Sequence, residues 1–136
     1  MKQIKYRSGY KYQLVETYST KTAVYPVNNI HAKYLSLSTS GVLTIRSGYA
    51  WDGPSGPTFD TKTFMRGALV HDALYELMRQ GYLSKTYRSA ADNELKKICL
   101  EDGMCRLRAW YVHKGVSKHA EFAVEQKAIK KIQTAP

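Results

Sequence analysis

The residues of this chain best suited to chemistry fall in two short stretches. One is Val70-His71-Asp72-Ala73-Leu74-Tyr75, the other Arg88-Ser89-Ala90-Ala91-Asp92. On a helix His71 and Tyr75 lie one turn apart and share a face. Asp72 is rotated by about 100° from His71 and shares that face only in part. A His-Asp pair inside an apolar helical run is costly to bury unpaired, so a partner must satisfy it. A metal, a basic residue or another acid can do so; Arg66, Arg79 and Arg88 are the basic candidates. Histidine titrates near neutral pH, which suits proton transfer. If Asp92 accepts the N–H of His71, it fixes the tautomer and leaves the other ring nitrogen free.

Two mechanisms then stand open. In one, His71 is a general base oriented by Asp92 that activates water against an ester or similar bond. Asp72 there binds a hard cation such as calcium, helped by carbonyls of the Gly53–Gly56 loop. In the other, His71, Asp72 and Asp52 or Asp92 ligate a transition metal such as zinc and generate a hydroxide nucleophile. The alternative to both is a polar network that only locks helices to the loop, with Arg88 as structural support.

The elements that must position these groups change character midway. Residues 11–18, 22–25, 34–38 and 42–46 are rich in β-branched and aromatic residues, with apolar and polar residues alternating in the later runs, which predicts antiparallel strands with one buried face. Ser38-Thr39-Ser40-Gly41 is expected to be a hairpin turn. From Phe64 the period becomes helical: Phe64, Ala68, Leu69, Leu74, Leu77 and Met78 share a face, Thr63 is placed to cap the start and Gly81 to end it. A second helix is expected over Arg88 to Glu101, a third over Leu107 to His113, and a fourth after Ser117. The two site helices are joined by a short segment, so they are expected to be antiparallel neighbours, with contact between His71 and Asp92 feasible. The fold class is α+β: an N-terminal antiparallel β-sheet followed by three or four C-terminal helices, in one domain over 1–136 (1–60 mainly strands and loop, 61–132 mainly helices). Between the halves lies Tyr49-Ala50-Trp51-Asp52-Gly53-Pro54-Ser55-Gly56-Pro57-Thr58. Its two prolines and two glycines predict a stiff loop, with Trp51, Gly53, Ser55 and Gly56 as its substrate-facing residues.

These motifs in combination, Asp52-Gly53-x-Ser55, His71-Asp72-x-Leu74-Tyr75 and Arg88-x-x-Ala91-Asp92, resemble an uncharacterised family of small bacteriophage and prophage proteins. The resemblance covers about residues 40 to 115; Pro54 stands where that family usually has Ala. It implies a phage origin, with the bacterial host cytoplasm or the virion as location and a virion or host protein as partner. His71-Asp72-x-x-Tyr75 is also similar to the catalytic helix of phospholipase A2, without that family's cysteine framework. That likeness implies His71 as base, Asp72 as the calcium carboxylate, and Tyr75 as a support for an orienting Asp92.

Composition bounds the rest. The 136 residues carry 21 Lys+Arg against 11 Asp+Glu, a formal charge of +10, and the excess is spread over both halves. A spread charge reads as a solvated surface or as a basic face for nucleic acid, although no nucleic-acid motif accompanies it. No apolar run is long enough for a transmembrane helix, and the N-terminus has no apolar signal core. Cys99 and Cys105 are too few for a disulfide scaffold and are expected as free thiols in a reducing compartment.

Overall fold

A computed structural model describes residues 3–7, 12–51 and 62–117. The first half forms two small antiparallel sheets. Strands β1 (Tyr6–Arg7), β2 (Tyr12–Leu14) and β7 (Ala50–Trp51) make one, in the order β1-β2-β7. Strands β3 (Tyr18–Lys21), β4 (Ile30–His31), β5 (Leu35–Leu37) and β6 (Val42–Ile45) make the other, in the order β3-β6-β5-β4. The run expected as one strand over 11–18 is thus divided between sheets, bending at Val15 and Glu16. The expected strand over 22–25 does not form. Thr22 turns its hydroxyl to the Gly41 carbonyl at 2.8 Å and accepts the Val24 N–H at 3.2 Å, so a side chain takes the ladder's place. Period-two burial is kept where pairing is regular: Leu35 and Leu37 on β5 and Leu43 and Ile45 on β6 all point into the core.

Helix α1 (Lys62–Arg79) carries the buried centre of the molecule. Leu69, Val70, Ala73, Leu74 and Leu77 join the strand residues Leu14, Leu37, Leu43 and Ile45 in one hydrophobic cluster. Thr63, expected as its cap, lies inside the first turn. Gly81 ends the helix as expected: at φ +83° it lets Tyr82 N–H return to the Leu77 carbonyl (2.9 Å) and its own N–H to Met78 (3.1 Å), a Schellman closure. One turn of 3-10 helix, Lys85–Tyr87, then leads into α2 (Arg88–Glu101). The chain has reversed, and α2 packs along α1. Gly67 permits the close approach: a Cβ there would sit 2.9 Å from Cys99 Sγ and 3.0 Å from Leu95 Cδ1. A third helix, α3, covers residues 106–117. It packs Ala109, Val112 and Val116 against Phe64, Ala68, Leu95, Cys99 and Met104. Ser117, expected to start a fourth helix, belongs to this one; residues 118–136 lie outside the described set.

A buried arginine secures the far end. Arg66 on α1 binds Asp102 through Nε at 3.0 Å, Glu101 through Nη2 at 2.8 Å and the Tyr18 hydroxyl through Nη1 at 2.7 Å. It ties α1 to the end of α2 and to β3. Cys99 and Cys105 are free, and burial pushes the Cys99 thiol up to about 12, which makes it an inert core residue.

Candidate functional site

The antiparallel α1–α2 pair places Asp92 directly across from His71. His71 Nε2 lies 2.7 Å from Asp92 Oδ1, and the Tyr75 hydroxyl donates to the same oxygen at 2.7 Å. The helical spacing that put His71 and Tyr75 on one face also stacks them, with ring centroids 4.2 Å apart at 33°. From α3, the Ser117 hydroxyl donates to Asp92 Oδ2 at 3.3 Å. Three elements therefore converge on one carboxylate whose side chain is only 3% exposed. Three donors fit an acceptor-only group. The His71 side chain is 14% exposed. With Nε2 donating to Asp92, Nδ1 carries the lone pair. No hydrogen bond engages Nδ1 among the described residues.

Tyr75 is held as a neutral donor. Burial pushes its hydroxyl far above the usual phenol range, and the hydrogen bond to Asp92 and that carboxylate's charge push it further. Arg88, at the start of α2, works in the opposite direction through its charge.

Asp72 does not join this group. Its rotation about the helix axis carries it to a second cluster around Tyr49, the residue before β7. There the Tyr49 hydroxyl donates to Asp72 Oδ2 at 2.5 Å, and Arg79 Nη2 stands 3.7 Å from Oδ1. Arg79 also holds Glu76 at 2.6 Å. Burial, then the charge of Asp72 and the hydrogen bond to it, raise the Tyr49 hydroxyl well above its ordinary range. The pairing of Asp72 with His71 as joint metal ligands therefore has no support in this geometry. A cation at Asp72 would have to compete with the Tyr49 hydroxyl and the Arg79 guanidinium. Among the described residues, no three His, Cys, Asp or Glu side chains are grouped to hold a metal ion. Asp52, Gly53, Ser55 and Gly56, expected as a ligand and as substrate-loop residues, lie outside the described residues. Trp51, expected on the same loop, ends β7 as a buried residue packed with Tyr6 (6.1 Å) and Tyr12 (5.6 Å). Its indole is core, not a contact surface.

Two members of these clusters escaped the sequence reading. Tyr49 opens the Pro/Gly-rich loop segment, and Ser117 stands at an expected capping position. Nothing in local spacing ties either to an acid more than twenty positions away. Arg79 was legible, as a basic residue seven positions after Asp72 on the same helix. Searches against family models, curated proteins and solved structures return no match to this chain.

Proposed function

We propose that the chain is a hydrolase in which His71 is the general base, oriented by Asp92 and Tyr75, activating water against an ester or similar bond. The observation that carries this reading is the asymmetry of the imidazole. One nitrogen is anchored on a buried carboxylate; the other is unengaged among the described residues, and the His71 side chain is 14% exposed. A histidine that served only as a bridge would be expected to use both nitrogens. Asp92 would stabilise the imidazolium formed when Nδ1 takes a proton from water, and Tyr75 and Ser117 would keep the carboxylate from rotating. No step is routed through a metal, because no three His, Cys, Asp or Glu side chains are grouped to hold one among the described residues. The resemblance to small phage proteins sets this activity in an infected bacterium or a virion, with a host or virion component as partner.

The test is a pH–rate profile on a panel of carboxylic and phosphoric esters for the parent and His71→Asn. Loss of general-base catalysis should lower kcat by about 10²–10⁴-fold. Equal rates in the two proteins would refute the base. Calcium and zinc titrations address the metal form: saturating metal should leave Tm unchanged, whereas binding at 100 times Kd would add about 2.7 kcal/mol. A second reading, in which the cluster only fastens α1, α2 and α3 together, is favoured by the three donors on Asp92. It predicts no activity on any ester and a stability loss alone.

A further inference from the structure

Helix α3 is apolar on two opposite faces. Ala109, Val112 and Val116 point inward and are packed. Leu107, Trp110 and Tyr111 point outward and are 66%, 45% and 64% exposed. With Lys114 they follow the i, i+3, i+4, i+7 pattern of one helical stripe, spanning about 100° of the helix circumference. An inward stripe explains the fold. The outward stripe has no such explanation, and a helix that shows large apolar side chains to water on its free face is equipped for a second partner.

Charge indicates what that partner is. Residues 106–117 contain Arg106, Arg108 and Lys114 and no carboxylate. Lys114 Nζ lies 5.2 Å over the Trp110 ring, so a cation and an aromatic face are offered together. A second copy of the chain would present the same cations and repel. A nucleic acid would use the aromatic rings and the cations but gains nothing from Leu107, the most exposed of the three. Leu inserted among acyl chains, Trp and Tyr at headgroup depth, and Lys114 against anionic headgroups use every member of the stripe. No helix among the described residues is long and apolar enough to cross a membrane, so this would be attachment to a surface.

We infer that the Leu107–Trp110–Tyr111–Lys114 face of α3 docks on an anionic lipid surface. The inference does not depend on His71 being a base, although Ser117 of the same helix donates to Asp92. The experiment is co-sedimentation of the full chain with phosphatidylcholine vesicles, with and without phosphatidylglycerol, at low and high salt. Anionic vesicles should bind at least about ten times more tightly than neutral ones, and salt should weaken binding as it screens the headgroups. Brominated lipid should quench tryptophan emission, with Trp110 as the reporter because Trp51 is buried. The triple variant Leu107→Ser, Trp110→Ser, Tyr111→Ser should lose about tenfold or more in affinity and the quenching too. Because its side chains are open to water, its Tm should stay close to the parent's, and a Tm measurement verifies that the loss is one of binding. Lys114→Glu should weaken binding to anionic vesicles alone. Failure to bind anionic vesicles at low salt overturns the inference. So does undiminished binding by the triple variant, which would mean attraction by net charge only. Binding of a single-stranded oligonucleotide that the triple variant loses, with no vesicle binding by the parent, would reassign the face to nucleic acid.

Discussion

Removing the Asp92 carboxylate should be more damaging than removing the histidine it holds. In Asp92→Ala, two donors that now share Oδ1 at 2.7 Å lose their acceptor. The Tyr75 hydroxyl is buried and has nowhere else to turn, so its share is about 2 kcal/mol, within the range for a stranded buried donor. His71 Nε2–H lies nearer solvent and can find water, so its share is about 1 kcal/mol. With the small void left behind, the sum is about 3–4 kcal/mol. His71→Ala strands nothing, because Asp92 keeps Tyr75 on Oδ1 and Ser117 on Oδ2. It loses one hydrogen bond and the ring contact with Tyr75, about 1.5–2.5 kcal/mol together. Asp92→Asn can place its carbonyl where Oδ1 stands and accept from both donors, and with the Ser117 hydroxyl turned to accept from the new NH2 the main loss is that of charge, about 1 kcal/mol. The expected order of damage is therefore Asp92→Ala, then His71→Ala, then Asp92→Asn, measured by urea denaturation followed in the far-UV. A His71→Ala variant as unstable as Asp92→Ala would refute the reasoning, for it would mean that His71, not Asp92, is the hub. In activity the order changes: on the proposed reading His71→Ala and Asp92→Asn both lose turnover, although the second is nearly as stable as the parent.

Other outcomes follow from the same geometry. Stability should fall on the alkaline side: the Tyr49, Tyr75 and Cys99 protons are held more tightly folded than unfolded, so above about pH 9–10 the unfolded chain ionises first and gains. Each group contributes a slope of up to about 1.4 kcal/mol per pH unit, and urea midpoints of Tyr75→Phe between neutral and alkaline pH should show a shallower fall than the parent's. Gly67→Ala should destabilise by about 1–2 kcal/mol despite better helix propensity, because its Cβ meets Cys99 Sγ at 2.9 Å, and the penalty should shrink in a Cys99→Ala background. Arg66→Ala should cost about 3–5 kcal/mol by leaving Asp102 and Tyr18 uncompensated, while Glu101→Ala, which removes an exposed partner, should cost under about 1 kcal/mol; thermal melts of the two variants provide the comparison.

The two clusters also divide the labour of the central helix. His71 and Tyr75 look toward α2 and α3; Asp72, with Glu76 and Arg79, looks toward Tyr49. A His-Asp neighbour pair can therefore be read too literally as a joint site. On a helix, adjacent residues diverge, and whether they converge again depends on a ligand spanning both bearings. Here each acid finds a tyrosine of its own: Tyr75 for Asp92 and Tyr49 for Asp72.

The sequence by itself determined everything that depends on bearings within one element. The apolar period of 64–78 defined the buried face of α1, Gly81 marked its end, and the spacing of four between His71 and Tyr75 put both rings on one side. The α2 boundaries, Arg88–Glu101, were likewise legible. These are short-range matters, set by about 100° of rotation per residue and by what a glycine can do at positive φ. Tertiary structure alone decided which groups would meet across elements. It gave His71 to Asp92, took Asp72 away to Tyr49 and Arg79, divided one expected sheet into two, and brought Ser117 to the site. Those choices rest on how closely α1 and α2 approach at Gly67, on the angle at which the Gly81 turn returns the chain, and on the packing of α3 beneath both. Each is a sum of many weak contacts between residues distant in the chain, and no local pattern encodes such a sum.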